Sequence, residues 1–440
     1  MVTGLYGAVI DGIIVRMKTR KENYGVRWTI AFALAMVVCE LFAAGGVPYS
    51  MIEQVDPVNL PELMRCYDGS TVKNVEDWER KRRPELLDFF ERNVYGVRPV
   101  GRPADLKFVS ESPDVVLEGN VRRKMVRAEF SGPLGKWSFG ILAFLPESEK
   151  PVPSFLLICN ASRVQEMDHE LRKDSQFWPV REIVKRGYAA VAFKTPEIAY
   201  DEYYPYLENG ESTVLDPDFT NDVYACFSPR RGYRTWGAIS AWAWGASRVL
   251  DWIETDSAFD ASKVAVIGHS RAGKTALWAA ASDSRFAMTC VNNSGCCGAK
   301  LNHAAVCLSE TIALDNNVNP HWFCRAYRQF NGKDHVLPFD QHWIAALVAP
   351  RLLYIASGSR DLGAGPWGEF LTARHASPAW ELYGEKGLVE DGPYKENSPF
   401  QAGRVGYHLR SGKHALTPYD WHRYMDFADR HMRPPESSRR

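Results

Sequence analysis

Ser270 and Lys274 lie four residues apart in VAVIGHSRAGKT, residues 264–275, and each belongs to a motif with its own chemistry. From Gly268 to Thr275 every fixed position of the phosphate-loop pattern G-x-x-x-x-G-K-[ST] is met, which would aim Lys274 at a nucleotide phosphate. The same turn puts Ser270 between a strand and a helix, where a hydrolase holds its nucleophile. A serine hydroxyl is too weak an acid to attack a carbonyl unaided. It needs a histidine to take its proton and a carboxylate to hold that histidine's tautomer.

Two later segments offer these partners in the chain order serine, acid, histidine. RLLYIASGSRDLGAGPWGEF has an apolar strand and then Asp361 in a glycine-rich loop, at the strand end where parallel sheets bind ligands. YHLRSGKHALTPYDW places His414 in a polar loop ahead of a terminal helix that starts at Pro418. His342 and His408 are the rival histidines. His342 falls on a helix that precedes the Asp361 strand and so is out of order. Asp340, Asp420 and Asp429 read as solvated or capping carboxylates.

These groups need a sheet to carry them. Apolar segments SFLLICN, YAAVAFKT, KVAVIGHS and RLLYIASGS alternate with helical stretches FWPVREIVKR, YRTWGAISAWAWGASRVLDWIET and KTALWAAAS. That alternation predicts a buried, mostly parallel sheet between helical layers. Upstream, WERKRRPELLDFFERNVYG (78–96) reads as an amphipathic helix ended by Gly96. LKFVS, KMVRAEFSG and WSFGILAFLP read as antiparallel strands at the sheet edge. The serine turn comes midway in this array, the place of a nucleophile elbow, whereas a phosphate loop follows an early strand. The expected fold is an α/β hydrolase: a three-layer sandwich with a mostly parallel central sheet and an antiparallel N-terminal edge. Residues 46–440 are expected to form one domain.

The 440 residues carry 53 basic and 53 acidic side chains, a balance that excludes the basic footprint of a general nucleic-acid binder. Aromatic residues reach 12%, which suits a large core or a sugar-stacking cleft. MKTRKENYGVRW from Met17, then TIAFALAMVVCELFAAGG, reads as an export signal ending near Ala43–Gly45. Residues 1–16 read as an upstream extension, with Met17 the expected start. Glu40 interrupts a run shorter than the roughly 20 apolar residues of a membrane span, so no stable span is expected. Export disfavours a nucleotide reading, because nucleoside triphosphates are scarce outside the cytoplasm. The nine cysteines lack zinc-ligand spacing, and no metal or cofactor is expected. Buried thiols, with one or two disulfides among Cys290, Cys296, Cys297, Cys307 and Cys324, are the expected state.

Taken together, GHSRAGKTALWAAASDSRFA, NNSGCCGAKL, PHWF, DQHWIAALVAPRLLYIAS, GEF and GYHLRSGKHALTPYDW resemble the bacterial glucuronoyl esterases of carbohydrate esterase family fifteen. Their elbow is G-x-S-R-x-G-K, matched by Gly268, Ser270, Arg271, Gly273 and Lys274. The resemblance runs from about Leu60 to the last helix. It implies cleavage of the ester between (4-O-methyl)glucuronic acid of xylan and a lignin alcohol, through an acyl-enzyme on Ser270 with His414 as base. Arg271 is implied to hold the oxyanion through its backbone N–H and its side chain, one such donor being worth roughly 3 kcal/mol. Lys274 is implied to bind sugar oxygens. Glu310, in CLSETIA, matches a sugar-binding glutamate or is a helix-surface charge. Trp322 could line the cleft or belong to the core.

Asn293 stands where many relatives carry the triad glutamate, so the acid role passes to Asp361. Gly363 stands where bacterial members often have tryptophan, and LNHAAVCLSE lacks the paired arginines of relatives. The cysteines that bracket the triad in fungal members are replaced by His269 and Ala415. The expected partner is a carbohydrate ester and the expected state a monomer. Competing readings are an acetyl or other carbohydrate esterase on the same scaffold, a phosphate-loop nucleotide-binding protein, and a catalytically silent sugar-binding protein.

Overall fold

A computed structural model describes residues 56–432, apart from 58, 202–218, 228–229 and 305–308. The expected export signal and the extension before it lie outside the described residues. Among the described residues, no helix is long and apolar enough to cross a membrane.

The charged stretch after Val75 is helical through Tyr95, with π-helical turns at Trp78–Arg82 and Glu91–Tyr95 around the α-helix Arg83–Phe90. Trp78, Arg82, Leu86, Phe90 and Val94 are buried at steps of four, and Tyr95 is buried at the end of the stretch. That spacing lines one face against the core. Pro84 lies inside this continuous helical stretch, just after the wider π turn Trp78–Arg82.

Ten strands form one sheet in the order β1-β3-β4-β6-β5-β7-β8-β9-β10, with β2 (Val115–Leu117) beside β3. β1 (Lys107–Ser110), β3 (Val121–Gly132) and β4 (Gly135–Leu145) make the antiparallel edge, and β4 runs antiparallel to β6 (Ala189–Lys194). From β6 onward the sheet is parallel: β5 (Val152–Cys159), β7 (Phe259–His269), β8 (Met288–Asn292), β9 (Leu352–Gly358) and β10 (Val405–Arg410). The predicted mixed sheet is therefore present. β2, β8 and β10 are strands that the apolar-run pattern does not single out.

Alternation along the strands feeds two separate cores. Val264 and Val266 of β7 and Leu156 and Ile158 of β5 face one layer, which holds the helices Ala238–Ile253, Arg271–Ser282 and Pro366–Ala376. Ala265, Ile267, Phe155 and Leu157 face the other, built on Val180–Lys185 and Pro418–Met432. Because both faces are covered, the central strands are buried through their apolar runs, Val264–His269 in β7 and Ser154–Cys159 in β5. This is why they read as unbroken apolar runs.

The expected disulfides are not formed among the described residues. Cys290, Cys296, Cys297 and Cys324 are buried free thiols, and Cys307 lies outside the described residues. Cys290 packs in the second core while Cys296 and Cys297 pack in the first, on opposite sides of the sheet. The adjacent Cys296 and Cys297 sulfurs stand 3.4 Å apart, beyond the roughly 2 Å of an S–S bond.

Candidate active site

β7 ends at His269, and the helix Arg271–Ser282 starts two residues later, so Ser270 must reverse the chain alone. It does so with φ +60° and ψ −129°, a left-handed conformation that costs a non-glycine residue about 1–3 kcal/mol. The turn closes because Gly268 and Gly273 have no side chain. A Cβ on Gly268 would lie 1.9 Å from the Ala272 carbonyl oxygen, and one on Gly273 would lie 3.0 Å from that of Asn292. The Ser270 N–H donates to the Asn292 carbonyl at 2.9 Å, pinning the bend to the end of β8.

His414 follows β10, and its ring centroid lies 4.4 Å from that of His269, the neighbour of Ser270. Its Nδ1 is 2.5 Å from Asp361 Oδ2, which leaves Nε2 as the basic nitrogen. The His414 side chain is 43% exposed and Asp361 10%, so the imidazole can meet a substrate while its carboxylate partner stays shielded. Burial opposes charge on this imidazole, but the hydrogen bond to Asp361 and its negative charge outweigh burial and raise the pKa above the usual value. His269 is different. Burial, then the His414 charge, holds it well below the usual range, and its Nδ1 bonds Asn292 Oδ1 at 2.7 Å.

The loops that carry Asp361 and His414 are stitched to each other. Ser359 N–H donates to the Arg410 carbonyl at 2.8 Å and Arg360 N–H to that of Gly412 at 2.9 Å. Asn293, the residue after β8, with φ +44°, completes the tie. Its backbone N–H donates to Ala356, its Nδ2 donates to the Ala415 carbonyl at 2.8 Å, and its Oδ1 accepts from Gly358 N–H. The side chain is thus a tether across β8, β9 and the histidine loop. Asn293→Asp should test this, since it turns the Nδ2 donor into an acceptor facing a buried carbonyl. A loss of about 2 kcal/mol is expected in denaturant unfolding, and unchanged stability would remove the tether.

Lys274 lies deeper than its motif suggests, at 2% exposure. Nζ donates to the carbonyls of Ser294 at 2.8 Å and Cys296 at 2.6 Å and pairs with Glu310 at 3.2 Å and Asp315 at 3.3 Å. Burial disfavours its charge, yet Asp315 and Glu310 together drive its pKa well above the usual value. A phosphate here would meet two carboxylates, so the turn is no phosphate loop. Cys296, Cys297 and Asp315 also cluster within 4.8 Å, with the Lys274 ammonium already beside Asp315. Glu310 is 36% exposed by side chain and forms the outer end of this group. Trp322 is largely buried, its ring 5.7 Å from Lys274 Nζ.

The rival residues serve packing. His408 is buried with Nε2 2.8 Å from Asp420, which also accepts from Arg410. His342 bonds the Pro61 carbonyl at 2.9 Å, and Asp340 takes His303 Nδ1 at 2.7 Å. Two carboxylates that residue spacing did not reveal stand close to the site. Glu369 is fully buried and accepts from Ser294 N–H at 2.7 Å, Gly295 N–H at 3.0 Å and Ser357 Oγ at 2.6 Å. Burial pushes its pKa up to about 7 against those bonds. Asp201 binds the Arg271 guanidinium, with Oδ1 2.5 Å from Nε. Glu369 had a signal in the GEF segment; Asp201, in AYDEYY, had none.

Comparison with known proteins agrees with this architecture. The family model described as "Glucuronyl esterase, fungi" matches residues 184–384. A carbohydrate esterase from an unknown prokaryotic organism is 36% identical over 409 residues, covering 86% of this chain and 91% of that protein. A 4-O-methyl-glucuronoyl methylesterase of Phanerochaete carnosa is 34% identical over 379 residues, covering 81% and 82%. The solved glucuronoyl esterase of Solibacter usitatus superposes with a TM-score of 0.72 at 33% identity, covering 85% of this chain and 98% of its own. By sequence over most of its length and by fold, this chain belongs to the glucuronoyl esterase family, a group of carboxylic ester hydrolases.

Proposed function

We propose that the chain hydrolyses esters of (4-O-methyl)glucuronic acid, as in lignin–carbohydrate linkages of glucuronoxylan, with Ser270 as nucleophile, His414 as base and Asp361 as the orienting acid. The observation that carries the reading is the Asp361–His414 pair, whose imidazole ring lies 4.4 Å from that of His269, the residue before Ser270. In this reading Ser270 Oγ attacks the uronoyl carbonyl carbon while His414 Nε2 takes its proton. The oxyanion meets the Arg271 backbone N–H at the helix start, where the dipole favours negative charge, and the Arg271 guanidinium. His414 then gives the proton to the departing alcohol. Water, activated by the same nitrogen, releases the uronate.

Glu310 is the sugar-facing end of the recognition group and accepts a ring hydroxyl. Lys274 holds Glu310 in place and fixes the 294–296 loop by its two carbonyl bonds. Trp322 backs the lysine with an aromatic wall. We place the enzyme outside the cytoplasm, carried by the signal at residues 17–45 and acting through residues 46–440 as one catalytic unit.

Purified protein assayed on benzyl glucuronate and on a sugar acetate tests the substrate class. Release of benzyl alcohol at a kcat/KM at least tenfold above that for the acetate is the expected result. Hydrolysis of the acetate alone would overturn the uronate reading in favour of another carbohydrate esterase.

A further inference from the structure

We propose that Asp201 is a positioning residue for the transition state: its carboxylate sets the plane in which the Arg271 guanidinium meets the oxyanion. The inference rests on the reading of Arg271 as an oxyanion donor and goes beyond it by naming what aims that donor.

Asp201 is 3% exposed and stands past β6, after the turn Thr195–Glu197. Its Oδ1 accepts Arg271 Nε–H at 2.5 Å, and its main-chain carbonyl lies 3.4 Å from Nη2. Two points of contact from one residue define an edge of the planar fork, so the group cannot swivel as a lysine would. Its Oδ2 accepts the Ala161 N–H at 2.5 Å and the Thr195 hydroxyl. One buried carboxylate therefore joins the ends of β5 and β6 to the first residue of the nucleophile helix.

The Ala161 bond gives the arrangement its meaning. β5 neighbours β7, the strand of the nucleophile, in the sheet. In α/β hydrolases the loop after that neighbouring strand lends the second backbone N–H of the oxyanion hole. Here the Ala161 N–H is directed at Asp201 instead. An oxyanion at Ser270 then has the Arg271 N–H and needs another donor, and the guanidinium bound to that same carboxylate stands at the first turn of the helix. The positive charge reaches further across the site. His321 is held neutral, its pKa lowered to about 3 by burial first and then by Arg231 and Arg271.

Steady-state kinetics on benzyl glucuronate with Asp201→Asn, Arg271→Met and Arg271→Lys, alone and with Asp201→Asn combined with Arg271→Met, test the proposal. Arg271→Met, which keeps the backbone donor, should lower kcat about 100-fold. Asp201→Asn should lower kcat by about tenfold or more with KM within twofold, because a mis-aimed donor hurts the transition state and not ground-state binding. The double variant should be no slower than Arg271→Met alone. Wild-type kcat in Arg271→Met would remove the Arg271 reading itself. A normal Arg271→Met loss with wild-type kcat in Asp201→Asn, or with losses that multiply in the double variant, would overturn the role of Asp201 and leave Arg271 in place. Should Asp201→Asn fail to fold, Arg271→Lys decides: it keeps the charge without the fork, and wild-type kcat there overturns the proposal.

Discussion

Replacing Ser270 by alanine is expected to lower kcat/KM for benzyl glucuronate by about 10⁵ or more, with the fold intact. The size follows from covalent catalysis. Without Oγ no acyl-enzyme forms, and the histidine and carboxylate that serve it have nothing to activate, so the unit fails together. The fold should survive because the bend is held by main-chain bonds and by the two glycines. Ser270 N–H still reaches Asn292, and alanine meets the same left-handed backbone as serine. Rates with wild type and variant, together with mass spectrometry of the quenched enzyme, make the check. A wild-type adduct of uronoyl mass that is absent in Ser270→Ala is the expected pattern. Activity within tenfold of wild type would mean that another residue attacks.

Asp361→Asn is the second large effect, and it carries a pH signature. In serine hydrolases that use this arrangement, an amide in place of the acid costs about 10⁴ in kcat, because it favours the wrong imidazole tautomer. The base must be neutral to accept the Ser270 proton. In wild type, burial works against charge on His414 but Asp361 overrides it, so the imidazolium persists above the ordinary histidine value. Activity should therefore fall as pH is lowered through a limb lying above about 6.5. With Asp361→Asn the negative charge that favours the imidazolium is gone, so the limb should move to lower pH while the plateau drops. The same pair adds stability that is full below the unfolded histidine pKa and is lost as pH rises through the folded value. Full kcat/KM profiles from pH 4 to 9 decide it. A limb that stays in place in Asp361→Asn would assign His414 to another carboxylate, and Glu369 is the buried candidate whose charge also reaches that imidazole.

Both predictions start from residue order, because each depends on local patterns placed at strand ends. A buried parallel strand must be apolar throughout, so SFLLICN, YAAVAFKT, KVAVIGHS and RLLYIASGS announce themselves. β10 does not. Val405–Arg410 is buried along its length yet carries His408 and Arg410, because the Asp420 carboxylate hydrogen-bonds both. Polar residues satisfied by a partner on another element look like loop residues in one dimension. β8 is short and runs directly into the Asn293–Cys297 loop, so its apolar residues do not form a distinct run.

The same limit governs the site. Chain order and strand–turn–helix punctuation single out Ser270, Asp361 and His414 as candidates, since covalent geometry dictates where a sharp bend or a strand end falls. The tertiary structure alone decided that Lys274 is buried between Glu310 and Asp315, that Asn293 ties the histidine loop to β9, and that Asp201 grips Arg271. Each of these is a bond between side chains or loops set by the packing of distant strands, between residues 36 to 122 positions apart. Such a bond leaves no period in the sequence, because its energy depends on where two loops meet in space and not on the spacing of neighbours along the chain.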